Sequence, residues 1–428
     1  MAAPIRTKSW PCWPMADEDT RQELLDVLDS GRWAISGAYM GRETKEQQFA
    51  AAFAQYNRIE HCLTLDHGTS ALIAALEALE IGYGDEVIVP GLTWIAPAVA
   101  VLSVNAIPIM VDIEADTFCM SPEGVRLAIT PRTKAILPIH MYGSMVDMDA
   151  IMQIAAEYNL YVIEDCAHSH GSVWRGQRAG TIGHIGAFSM QQGKVLTCGE
   201  GGAAITKDER LLAKMEASAW NARTKLPDAE LRLGAMQLSE TGGRFGTNRC
   251  LSEFQAAILL AQLRKLDDHH DVRASNVRYL NEHLREIPGV LTMRTQPQVD
   301  RQSYYGFVVR IQPDVFGSTA SQTILSLQQM LGLGAYYLHE PYIPLHRNPL
   351  YTPHSRRHKL EESYTQALRT ERFTLPQCDA AYDCGIVFHH SVLLGDLEDM
   401  QHIVEAFRML FRYGNEGLLT DKRIHSLQ

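Results

Sequence analysis

The sequence predicts an α/β protein, a largely parallel sheet sandwiched by helices, followed by a smaller C-terminal α+β domain. Three observations predict it. Short apolar runs alternate with helix-like stretches through the first two-thirds of the chain, the pattern of strands covered on both faces. Those runs end in polar residues, as strands do where they reach a ligand cleft. The chain of 428 residues exceeds one ordinary domain, and its 46% hydrophobic content suits a packed core.

The elements follow in order. Helical periodicity covers residues 19–28 and 46–56. Strands are expected at 86–90, 107–112, 135–139, 161–165, 185–190 and 203–206, most of them rich in Val and Ile. Residues 71–79 and 148–158 are the clearest helices. The stretch 221–248 is long, polar and without apolar periodicity, which in a compact domain marks function or an interface. Helix returns at 252–266 and continues to about 285. The remainder mixes a strand-like run, 304–311, with helices at 321–331 and 397–413. The expected division is a large domain over 1–285, a small α+β domain over 286–416 and a frayed tail over 417–428.

Composition excludes several classes. With 50 acidic against 39 basic residues the net charge is −11, so no nucleic-acid partner is expected. The most apolar run, 96–111, is too short to span a membrane and is broken by Pro97, Ser103, Asn105 and Pro108. Residues 1–14 lack the apolar core of a signal peptide. The eight cysteines, at 12, 62, 119, 166, 198, 250, 378 and 384, form no C-x-x-C pair. Free thiols in a cytoplasmic protein are expected, with no membrane partner and no metal.

Three segments carry candidate chemistry. Gly68-Thr69-Ser70 precedes a strong helix. It reads as an anion cradle, or as an ordinary cap in which Thr69 or Ser70 satisfies orphan amides, the commoner case. Asp165 ends the run YVIED, with Cys166, His168 and His170 behind it. A metal set from these fits no common zinc pattern. A buried carboxylate that needs a positive partner, such as a pyridinium nitrogen, is a second reading. A structural salt bridge or cap is a third, and spacing alone leaves them open. Lys194 lies in AFSMQQGKVLTCGEGG, a segment of few charges. Desolvation disfavours the ammonium form and makes such an amine nucleophilic, unless this is only an exposed lysine on a glycine-rich loop. Ser189, five residues earlier, can donate to a phosphate. Val195 stands where a Walker loop needs Ser or Thr.

The order of these signals says more than any one of them. An anion site at a helix start, Trp94 after a strand, an Asp at a strand end and Ser-x-x-x-x-Lys are the parts a pyridoxal phosphate site needs: phosphate cradle, stacking face, anion for the ring nitrogen and reactive amine.

The segments GDEVIVPGLTWIA, PIHMYG, VIEDCAHSHG, FSMQQGKVLTCGEGG, GTNRCLSEFQAAIL and PLHRNPLY resemble the DegT/StrS family of sugar aminotransferases. The resemblance runs from about residue 10 to 410. It implies a fold-type I, aspartate aminotransferase-like transferase with pyridoxal 5'-phosphate as cofactor. By position it implies Lys194 as the amine bound to the cofactor and Asp165 as the partner of the pyridinium nitrogen. Trp94 would stack on the ring, and His168 would lie near its phenolic oxygen. Gly68, Thr69, Ser70 and Ser189 would hold the phosphate. Asn248 matches an asparagine that reaches the phosphate of the neighbouring subunit, so a homodimer with shared active sites is implied. Many relatives carry Arg two residues after that asparagine. Here the position is Cys250, and Arg249 precedes it, which leaves Arg249 and His346 as candidate substrate contacts. The His389–His390 pair fits the resemblance without an assigned role. The Ser-Met-Gln-Gln and Gly-Thr-Asn-Arg-Cys variants resemble a subgroup that acts on cyclitols. It implies transfer of the amino group of L-glutamine to a keto-cyclitol of aminoglycoside antibiotic biosynthesis, 2-deoxy-scyllo-inosose first and scyllo-inosose second. A nucleotide-keto-sugar aminotransferase and a non-catalytic regulator retaining the fold are the alternatives.

Overall fold

The computed structural model describes residues 5–239, 242–353 and 362–415; the expected tail over 417–428 lies outside them. In chain order the strands are β1 (His61–Leu65), β2 (Glu86–Pro90), β3 (Ile107–Val111), β4 (Thr133–Ile136), β5 (Tyr161–Asp165), β6 (Val173–Trp174), β7 (Gln177–Arg178), β8 (Ile185–Ser189), β9 (Gly202–Thr206), β10 (Val290–Thr292), β11 (Val299–Arg301), β12 (Gly306–Ile311), β13 (Leu338–His339) and β14 (Gly385–His389). Seven build the main sheet, in the order β1-β9-β8-β5-β4-β2-β3. From β3 through β8 neighbours run parallel. β9 turns back antiparallel on β8, and β1 pairs antiparallel with β9. A smaller antiparallel sheet, β10-β12-β14-β13, lies in the C-terminal part.

Outside the main sheet β6, β7, β10, β11, β13 and β14 were not expected; within it two strands differ from the sequence reading by more than one residue. β1 is not legible there, because His-Cys-Leu-Thr-Leu holds no Val or Ile; its pairing along β9 makes it a strand. β4 ends at Ile136 rather than 139, since Pro138 has no amide hydrogen for a ladder. The chain still stays beside β5. The Asp165 amide donates to the Pro138 carbonyl at 2.9 Å, and Ile139 bridges to Asp165.

Local chemistry sets the main helices. Thr44 and Gln47 form a capping box ahead of Lys45–Asn57, and Ser252 and Gln255 do so for Glu253–Leu263. Asp147 caps Met148–Tyr158, which ends at Asn159 in the left-handed region. The buried side chains form two clusters. One surrounds the main sheet; the other draws on Val277 to Leu410 around the smaller sheet. The clusters do not follow the chain strictly. Ile5 and Trp10 pack on the second cluster, and Arg6 makes a buried ion pair with Asp399 at 2.8 Å. Leu345, Tyr364 and Cys378 belong to the first.

The strand that carries Asp165 is anchored by its neighbour. Glu164 points to the opposite face of β5 and is fully buried. It accepts the amides of Gly180, Ile182 and Gly183 at 2.6–2.8 Å. His140 completes the set at 3.1 Å. Nδ1 of His140 accepts the Val146 amide, so the ring hydrogen sits on Nε2 and points to Glu164. Removing this acceptor strands three amides, one buried and two part-buried. Glu164→Ala is expected to lower unfolding free energy by about 3 kcal/mol, read from urea midpoints; a loss under about 0.5 kcal/mol contradicts the anchoring role.

Candidate active site

A cavity of about 470 Å³ opens at the C-terminal ends of the parallel strands. Four segments of the main sheet meet there: the start of the Gly68–Ala78 helix, the loop after β2, the end of β5, and the β8–β9 connection. The small-sheet side adds Tyr305 and Tyr342.

The helix start is built for an anion. His67, not Thr69 or Ser70, is the residue ahead of the first turn, and it makes no side-chain cap. The leading amides of the helix have no side-chain acceptor there, and the dipole favours negative charge. Gly68 lies so close to β8 that a Cβ on it would sit 2.5 Å from Cβ of Ser189. Gly68, Thr69 and Ser189 all line the cavity; Ser70 is buried one residue further into the helix and does not. Trp94, 47% exposed, lines the opposite wall with its ring centroid 5.8 Å from that of Tyr342.

At the floor lies Asp165, buried, with Oδ1 accepting the Ala167 amide at 2.9 Å. Among the described residues no ion pair reaches it. Burial pushes its carboxyl above the usual range, against the opposing effects of that amide, Lys194 and His140. His168 stacks on Tyr305, centroids 3.8 Å apart and planes 10° from parallel. Its Nδ1 accepts the Tyr142 amide at 3.3 Å, so Nε2 carries the hydrogen and is a donor. Burial, then Lys194, holds this imidazole well below its ordinary pKa and keeps it neutral. Lys194 is 8% exposed, its Nζ 4.4 Å from the centroid of Tyr305.

Other candidates lie elsewhere. Asn248 is exposed, bridges to Trp220, and does not line this cavity within its own chain. Arg249 grips Glu77 through both terminal nitrogens, at 2.8 and 3.1 Å. His346 pairs with Asp379 at 3.3 Å. Neither lines the cavity. His140, Glu164 and Cys166 bring ligand atoms within 4.8 Å of one another, but the oxygens of Glu164 are committed to three amides and His140. Sequence reasoning missed His67, Gln191, Glu200, Tyr305 and Tyr342 in the wall. Tyr305 sits in a run read only as strand-like and Tyr342 in a stretch with no reading, and no local signal marks them.

A family profile, DegT/DnrJ/EryC1/StrS aminotransferase, matches residues 14–383. The chain belongs to this family. It is 43% identical to L-glutamine:2-deoxy-scyllo-inosose aminotransferase of Streptoalloteichus tenebrarius, over 96% of this chain and 97% of that protein. It is 41% identical to L-glutamine:scyllo-inosose aminotransferase of Streptomyces griseus, over 94% and 95%. Among solved structures, 3-amino-5-hydroxybenzoic acid synthase superposes with a TM-score of 0.80 at 30% identity, covering 95% of this chain and all of that one. The fold is that of the pyridoxal phosphate aminotransferases, and pyridoxal phosphate is the cofactor. The residues fit it: an uncapped helix start beside Ser189 for the phosphate, a buried carboxylate without a cation for the ring nitrogen, and a buried amine in the same cavity.

The raised pKa of Asp165 gives a signed expectation. Cofactor-free folded protein holds this proton more tightly than the unfolded chain does, so stability falls as pH rises above the unfolded value of about 4. Cofactor-free Asp165→Asn is therefore expected to be more stable than its parent at pH 8, with a smaller difference at pH 5. Urea unfolding at the two pH values reads this; a variant less stable at pH 8 contradicts it.

Proposed function

We propose that this protein moves the amino group of L-glutamine to a keto-cyclitol, 2-deoxy-scyllo-inosose in first place and scyllo-inosose in second, in aminoglycoside antibiotic biosynthesis. The convergence of Lys194, Asp165 and an uncapped helix start on one cavity carries the chemistry. The near full-length likeness to cyclitol aminotransferases supports the substrate class.

When bound, the cofactor supplies the electron sink that lets an amino group leave one carbon and arrive at another. Gly68, Thr69 and Ser189, with Ser70 behind them, hold its phosphate against the helix dipole. Asp165 keeps the ring nitrogen protonated, and its own burial cost is offset by that cation. The Nε2–H of His168 would be the donor available to the ring's oxygen, and Trp94 would offer the ring a stacking face. Lys194 is the proton carrier in both halves: its amine takes the α-proton of glutamine and gives it up again within the first half, and in the second half it delivers a proton to the former carbonyl carbon of the cyclitol. The hydroxyls of Tyr305 and Tyr342, 3.4 Å apart, offer polar contacts to a polyhydroxylated ring, a site type that discriminates on a single hydroxyl.

We further propose a cytoplasmic homodimer in which the partner subunit's Asn248 completes each phosphate site, with the 221–248 stretch at the interface. Arg249, held on Glu77, and His346, held on Asp379, would reach substrate only by exchanging those partners in the assembled dimer, and the chain divides near residue 285 into a large and a small domain. Among the described residues no helix is long and apolar enough to cross a membrane.

Absorbance of the holoenzyme is expected to lose its yellow band on adding L-glutamine and to regain it on adding the ketone. A band that ignores glutamine overturns the assigned donor and points to nucleotide-sugar chemistry. For the shared site, Lys194→Ala and Asn248→Ala proteins are each expected to be inactive or nearly so, and mixing them to restore activity through heterodimers. Failure of mixing, with subunit exchange verified, removes the cross-subunit role.

A further inference from the structure

The amine of Lys194 sits at the end of a β-turn. The Lys194 amide donates to the Gln191 carbonyl at 2.8 Å, and Oε1 of Gln191 accepts the Gly193 amide at 2.8 Å. The carbonyls of the two central residues, Gln192 and Gly193, are both held from outside the turn. The indole N–H of Trp13 donates to Gln192 at 3.0 Å. Nε2 of His390 lies 3.0 Å from the Gly193 carbonyl.

His390 is oriented in turn by Arg273, on the Leu266–Leu284 helix. Nη2 of Arg273 lies 3.1 Å from Nδ1 of His390, and its Nε donates to the His390 carbonyl at 3.3 Å. A guanidinium only donates, so Nδ1 accepts and the hydrogen is fixed on Nε2, the atom that faces Gly193. Both side chains are fully buried. The Trp13 ring meets His390 edge to face, centroids 4.6 Å apart and planes at 89°. Among the described residues no carboxylate pairs with Arg273. A buried cation without an anion is costly; its two contacts with His390 hold it, and its guanidinium lies 5.5 Å from the centroid of the Trp13 ring.

We infer that Trp13 and the Arg273–His390 pair are positioning residues for Lys194: they clamp the two carbonyls ahead of it and so hold its amine at the angle transamination needs. This rests on the reading of Lys194 as the reacting amine. Neither His390 nor Trp13 lines the cavity; the effect is carried by the turn, with the His390 ring also 6.1 Å from that of Tyr305.

The test uses His390→Phe, His390→Gln, Trp13→Phe and Lys194→Ala. Phe keeps the ring and removes the donor; the Gln amide restores a donor near the Nε2 position. His390→Phe holoenzyme is expected to lose about 10- to 100-fold in kcat, with KM for L-glutamine within about twofold of the parent. In cofactor-free protein, trinitrobenzenesulfonate is expected to label Lys194 faster in His390→Phe, as read by peptide mass spectrometry, because the loosened turn exposes the amine. His390→Gln should recover both readouts. Trp13→Phe should shift both in the same direction by less, and it serves if His390→Phe does not fold. Parental kcat and labelling in the Phe variants, or a kcat loss that Gln does not restore, overturns the clamp. Activity retained in Lys194→Ala instead overturns the reading beneath it.

Discussion

The cavity depends on how closely the start of the Gly68–Ala78 helix approaches the ends of β8 and β9. Two glycines permit that approach from opposite sides. A Cβ at Gly68 would strike Ser189, and one at Gly202 would lie 2.4 Å from the His67 carbonyl carbon. Small buried residues behind them, Ala71, Ala74 and Ala75, let the rest of the helix lie flat on the sheet. Backbone amides, a serine hydroxyl and the helix dipole then face one point, with no long side chain needed to bring charge there. The same approach fixes where β8 ends, and therefore where the turn carrying Lys194 begins.

A second constraint is that the wall joins segments of both sheets, with Tyr305 and Tyr342 packed on the main-sheet cluster. Asp165, Ser189 and Lys194 come from the main sheet. Tyr305 stands at the threshold of β12, and Tyr342 beyond β13. The stack of Tyr142, His168 and Tyr305 crosses between the two sides, its neighbouring centroids 5.8 and 3.8 Å apart. The N-terminal stretch links them again, from Arg6 on Asp399 to Trp13 on the Lys194 turn.

What was legible in the sequence follows from how local the cause is. Asp165 and Lys194 could be found because a polar residue at a strand end, or a lysine in a charge-poor loop, is visible within a dozen residues. The parallel order of the strands was legible because crossover helices leave their own periodicity. β1 was not, since its strand character comes from β9, far along the chain. Nor was the commitment of Arg249, whose partner Glu77 is 172 residues away. A charged side chain in a loop looks equally free whether or not a distant carboxylate awaits it. Tyr305 was visible only as part of a strand-like run and Tyr342 lay in a stretch with no reading, because an aromatic there gives no sign of which side it faces.

The clamped turn also bears on how the molecule assembles. The contacts that fix Gln192 and Gly193 join residues separated by 179 and 197 positions. Closing such long loops carries an entropy cost that local structure avoids. The lysine is therefore set only once segments near the two ends of the chain have converged on its turn. Enzymatic competence is thus tied to the completion of folding, with the reactive amine in register only in a molecule whose first and last segments are both in place.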